Sequence, residues 1–205
     1  MSEQFWWYVS RSSGIVAWAL LSFSVVIGLL MATRAVSRLT TRPWLLDVHR
    51  FSSGLAVAFT AIHMVALWAD NYVHFAWAEL FVPMASEWRP GAVAWGIVAM
   101  YLLVAVEVTS LALPRLPRRW WRRVHFASLP LWAMGTYHGL VAGTDRGNDL
   151  LRAATLVVIS LVAGLTLVLL AAAATHRPSR SRAAAGGRVS GDPADGKVLT
   201  APQER

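Results

Sequence analysis

Apolar residues along this chain gather in long blocks and do not alternate with polar ones, and short polar or aromatic connections separate the blocks. Blocks near twenty residues cover about 12–33, 48–70, 91–113, 121–142 and 151–174. A helix rises about 1.5 Å per residue, so about twenty apolar residues cross a hydrocarbon core about 30 Å thick. The pattern predicts an all-α integral membrane protein, a five-helix transmembrane bundle. An N-terminal extracytoplasmic segment (1–11) precedes the membrane domain (12–174), and a disordered cytoplasmic tail (175–205) follows it. The first block is longer than the apolar core of a signal peptide and has no clear small-residue cleavage site, so it reads as a retained helix. From His176 onward Arg, Ser, Ala, Gly and Pro dominate, with too little apolar surface to pack.

Charge orients the bundle. The connection between the first two blocks holds Arg34, Arg38 and Arg42, with Arg50 just inside the second block. PRLPRRWWRR joins the third block to the fourth and holds five more arginines. With the tail, these alternate ends carry fifteen of the nineteen Lys and Arg residues; Arg11, Arg89, Arg146 and Arg152 lie at the other ends. Cytoplasmic loops carry the positive excess, which predicts a multi-pass cell-membrane protein with its N-terminus outside and its C-terminus in the cytoplasm. Tryptophans fall where interfacial belts form: Trp6, Trp7, Trp68, Trp77 and Trp88 outside, Trp44, Trp120 and Trp121 inside. The outer loop NYVHFAWAELFVPMASEWRP is amphipathic and predicts a surface-lying lid.

Composition adds little to this. The chain is 56% hydrophobic, with a mean hydropathy of +0.48. Its net charge of +8 sits beside the apolar blocks, which points to anionic lipid and not to nucleic acid. There is no cysteine, so thiolate-ligated iron–sulfur clusters are excluded within the chain. GDPADGK (191–197) resembles the start of a phosphate-binding loop, but Val198 stands where Ser or Thr must hold magnesium.

Chemistry concentrates on four histidines. His49 and His63 lie fourteen residues apart in the second block, roughly 21 Å along a helix and only about 40° out of phase. His125 and His138 lie thirteen apart in the fourth block. Both helices run from inside to outside, so His49 and His125 share an inner depth and His63 and His138 an outer one. Imidazole is an axial ligand of haem iron, and two of them per iron leave no open position, which favours electron transfer. Thirteen residues leave about 140° of phase error on a straight helix. Pro130 lies between the two histidines and predicts the kink that corrects it. Small residues near the ligands (Ser52, Ser53, Gly54, Gly135, Gly139, Gly143) suit either close approach to a flat macrocycle or close helix packing.

HRFSSGLAVAFTAIH followed by RRVHFASLPLWAMGTYHG resembles the ferric reductase-like transmembrane domain family, over about residues 12–174. That superfamily includes NADPH oxidases, ferric reductases and the haem-binding membrane subunit of the bacterial periplasmic methionine sulfoxide reductase system. The resemblance implies two haems b, the inner held by His49 and His125 and the outer by His63 and His138. Members commonly have six spans where this chain reads as five. They also commonly carry flavin and nicotinamide domains, where this chain has a polar tail. Flavin or quinone would therefore act only through a partner.

The expected function is a transmembrane di-haem b cytochrome, an oxidoreductase component. It would pass electrons from a flavin reductase or quinol to an extracytoplasmic redox partner or other acceptor. Other candidates are Glu107, a carboxylate within the third block that suits a proton or quinone site or a partner for an inner arginine; Asp47 and Arg50, flanking His49 and suited to haem propionates; and Tyr137, Thr144 and Asp145 near the outer exit. His74 and His176 have no depth-matched partner. No catalytic triad or carboxylate dyad is present. The alternatives are a cofactor-free membrane scaffold or interaction protein and, less favoured, a small-molecule transporter, for which the chain shows no internal inverted repeat.

Overall fold

A computed structural model describes residues 4–33, 41–70, 75–144 and 147–175. Its helices are α1 (Phe5–Thr33), α2 (Arg42–Ala69), α3 (Trp77–Phe81), α4 (Pro90–Leu111), α5 (Arg118–Phe126), α6 (Ser128–Ala142) and α7 (Asp149–Thr175). A single 3-10 turn, Leu113–Arg115, follows α4. There is no strand among the described residues. Four helices, α1, α2, α4 and α7, are long and apolar enough to cross a membrane. Helix α1 begins at Phe5, seven residues before the predicted start, because the aromatic run after it contains no helix breaker. Arg34 and Arg38, His74, Asp145 and the tail with His176 and 191–197 lie outside the described residues.

The fourth predicted span is divided. Helix α5 ends at Phe126, Ala127 forms a turn, and α6 begins at Ser128. Pro130 sits in the first turn of α6, where its missing N–H removes no helical hydrogen bond. The expected kink is therefore a helix break. The α5 segment, RRWWRRVHF, is basic and aromatic, and the long apolar run belongs to α6.

Helices pack in two pairs. Helix α2 lies along α1, and α6 lies along α4, while contact between α2 and α4 is sparse. Val25 and Leu29 of α1 meet Trp132 of α6 and Val162 of α7 in one core; Ala99 and Leu103 of α4 meet Leu131 of α6 in a second. Polar hooks lock α1 to α6. Trp132 Nε1–H donates to Ser22 Oγ at 2.9 Å, and Trp18 Nε1–H to Thr136 Oγ1 at 3.0 Å. The Arg89 guanidinium donates to the Val141 carbonyl, tying the start of α4 to the end of α6. Helix α7 buries only Thr155 and Val162, leaving the rest of its apolar surface outward, as lipid requires.

The short helix α3 packs on the C-terminal end of α2 and on Tyr101 of α4, within the loop that the sequence predicts to be a lid. Trp77 packs on Trp68 at 5.2 Å and stacks on Phe81, and the Tyr101 hydroxyl donates to the Phe81 carbonyl at 2.7 Å.

Candidate functional site

The break at Ala127 turns His125 and His138 toward α2. His49 and His125 face each other with ring centroids 6.0 Å apart and planes crossed at 69°. His63 and His138 face each other at 6.5 Å and 77°. The structure thus brings together both pairs that the sequence matched by depth, across the gap between the α1–α2 and α4–α6 pairs.

Three of the four rings are held from behind. His63 Nδ1–H donates to the Ser10 carbonyl at 2.6 Å, and His138 Nδ1–H to the Ala92 carbonyl at 2.9 Å. His49 Nδ1 lies 2.9 Å from the Ser24 carbonyl and 3.0 Å from Ser24 Oγ. A carbonyl can only accept, so these contacts put the proton on Nδ1 and leave the Nε2 lone pair as the free ligand atom. His125 differs. Its Nδ1 is buried with no hydrogen-bond partner, and its ring stacks on Trp121 at 4.8 Å. Trp121, assigned by sequence to the inner aromatic belt, instead backs a candidate ligand and reaches Ser110 Oγ with its Nε1–H.

Sequence reasoning missed the anchoring residues on α1 and α4. It singled out small residues beside the histidines, and these have other surroundings. Gly135 lies against Leu21, Gly54 and Gly139 face open space, and a side chain at Gly143 would strike the Gly139 carbonyl at the end of α6. Ser52 and Ser53 bond back to the carbonyls of His49 and Arg50 within their own helix. The glycines that do meet the rings are Gly14, Gly28 and Gly96. A signal for two of them was available: Ser10–Gly14 and Ser24–Gly28 repeat one motif fourteen residues apart, the spacing of His49 and His63.

Among the remaining candidates, Glu107 is half-buried on α4. Asp47 and Arg50 are exposed toward the N-terminal end of α2. Tyr137 points away from the gap to an edge contact with Trp95, and Thr144 is exposed beyond α6. Apart from the four histidines, Thr60 and Met64 of α2, Met100 and Leu103 of α4 and Trp77 and Phe81 of α3 line an apolar cleft of about 280 Å³. No group of three or more His, Cys, Asp or Glu side chains gathers among the described residues. Each facing pair therefore offers two imidazoles, with no third His, Cys, Asp or Glu among the described residues.

The model of the family described as ferric reductase like transmembrane component matches residues 13–136, more than half of the chain. The chain belongs to this family. No curated protein and no solved structure matches it. Membership, with the membrane-spanning helices, makes this a multi-pass membrane protein with oxidoreductase-type activity at the membrane. The family commonly binds haem.

Proposed function

We propose that this protein is a transmembrane di-haem b cytochrome passing electrons from a cytoplasmic or quinol donor to an extracytoplasmic acceptor. The observation that carries the reading is the pair of facing imidazoles at each of two depths. A metal–imidazole bond is about 2.0 Å and the ring centre lies about 1.1 Å further, so two rings on opposite sides of one iron stand about 6.2 Å apart. The observed 6.0 and 6.5 Å fit that spacing. Among the described residues no third His, Cys, Asp or Glu joins either pair, which suits a macrocycle that supplies the remaining ligands. Haem so ligated supplies a one-electron couple without an open position for oxygen.

The chain's own residues do the rest. His49 and His125 hold the inner group, and His63 and His138 the outer. Arg50, at the inner end of α2, suits a propionate, and Glu107 suits a proton or quinone site beside the inner pair. Helices α5 and α6 together make the fifth crossing, with the N-terminus outside and the C-terminus in the cytoplasm. The basic inner ends face anionic lipid, and a separate flavin reductase or quinol delivers the electrons.

The test is a dithionite-reduced minus oxidised spectrum with a pyridine haemochrome assay on protein from haem-supplied cells. Expected are b-type bands and two haems per chain, falling to one in His63→Ala or His138→Ala. A wild-type chain that inserts but carries no haem sinks the proposal and leaves a cofactor-free scaffold.

A further inference from the structure

The three hydrogen-bonded histidines share a construction that spacing on α2 and α6 does not reveal. Each accepting carbonyl stands four residues before a glycine on the same helix: Ser10 before Gly14, Ser24 before Gly28, Ala92 before Gly96. In a helix the carbonyl of residue i already accepts from the N–H of residue i+4, and the Cβ of i+4 leans back toward the N-terminus, over that oxygen. Removing that Cβ opens the oxygen to a second donor from a neighbouring helix. A Cβ at Gly96 would lie 2.6 Å from His138 Nδ1, one at Gly14 3.0 Å from His63 Nδ1, and one at Gly28 3.5 Å from His49 Cε1. Cβ atoms never come as close as the first distance, the second forces the ring to yield slightly, and the third is ordinary contact.

We propose that Gly14 and Gly96 are positioning residues: each opens a backbone carbonyl that fixes one histidine as the Nδ1–H tautomer, orients its ring and aims Nε2 into the gap; at Gly28 a Cβ makes only ordinary contact, so the absence of a side chain there is not required behind His49. His125, with no such notch, is set by its stack on Trp121, so the inner pair is anchored on one side and the outer pair on both. The role of these rings as ligands rests on the cytochrome reading above; the tautomers do not. An Nδ1–H bonded to a carbonyl makes Nε2 a stronger donor, which favours ferric over ferrous iron. By this effect the outer site has the more negative potential.

Two measurements on the full-length chain in nanodiscs test this. In protein prepared without haem and labelled with 15N-histidine, ring-nitrogen spectra assigned by single His→Gln variants should give Nδ1–H tautomers for His49, His63 and His138. Nε2–H at these positions overturns the inference whether or not haem binds. In haem-loaded protein, Gly96→Ala should lose the outer haem, or keep it with a more positive midpoint potential and a changed ferric low-spin EPR signal. Gly14→Ala should shift the same signals less, and Gly28→Ala should leave the inner haem nearly unchanged. Gly164→Ala, on α7, which carries none of the four histidines and has open space at that position, should match wild type. If Gly96→Ala and Gly14→Ala both keep the wild-type potential and EPR signal, the notches do not position the rings, while the two haems still stand.

Discussion

Trp132 lies buried among Val25, Leu29 and Val162, and its indole N–H has a single direction in which to find an acceptor, Ser22 Oγ on α1. In a lipid-surrounded bundle no water replaces that acceptor, so Ser22→Ala strands a donor. The expected cost is about 1 kcal/mol. Ser12→Ala makes the comparison, because the Ser12 hydroxyl is exposed and bonds only to carbonyls of its own helix. Thermal melts in nanodiscs should show a lower midpoint for Ser22→Ala and no change for Ser12→Ala; equal melts would mean that Trp132 finds another acceptor. The same logic explains the crowd of serines on α1. Ser10, Ser13, Ser22 and Ser24 are all buried, and their oxygens face helices α2 and α6 or bond back along α1.

At the scale of the element, the interruption between α5 and α6 is the feature on which the site depends. A continuous helix from Arg118 to Ala142 would carry His125 and His138 on different faces, about 140° apart. Pro130 prevents that continuity, because it cannot donate to the Phe126 carbonyl as an uninterrupted helix demands. Pro130→Ala restores the donor and favours the straight helix. The expected result is a drop from two haems per chain toward one, without loss of membrane insertion, read by the haemochrome assay. Retention of both haems would mean that packing of α6 on α4, with the Arg89 bond to Val141, holds the ring of His138 in place by itself.

Across the described residues, two well-packed helix pairs face each other across a gap at which the four histidines meet in two pairs. The basic helix α5 lies at the His49–His125 end and the Trp77–Phe81 helix packs on Trp68 at the other end of α2, so the two ends differ in charge and in cover. That difference, read through the positive-inside rule, predicts the orientation. The chain has no cysteine, so single reporters can be placed on an otherwise silent background. Ser2→Cys should react with a membrane-impermeant maleimide in intact cells, and Gln203→Cys only after permeabilisation. The reverse pattern would invert the direction of electron flow in the proposal.

Four of the five apolar blocks and the pairing of the four histidines were legible in the sequence, because hydropathy and helical rise are properties of neighbouring residues. The fourteen-residue spacing alone set His49 and His63 at two depths on one face. What stands behind each ring was decided by the fold. His49 reaches Ser24, His63 reaches Ser10 and His138 reaches Ala92, partners that are 25, 53 and 46 residues away in the chain. Sequence reading favoured glycines adjacent to the ligands, because adjacency along the chain was all it could measure. The glycines that meet the rings, Gly14, Gly28 and Gly96, sit on α1 and α4, which carry no histidine ligand. Likewise Pro130 foretold a disturbance, but packing of α6 against α1 and α4 determined that it became a break at Ala127 and which way the second half turned. A hydrophobic pattern states which faces must be covered; only helices already packed together determine which backbone oxygen lies within reach of which ring.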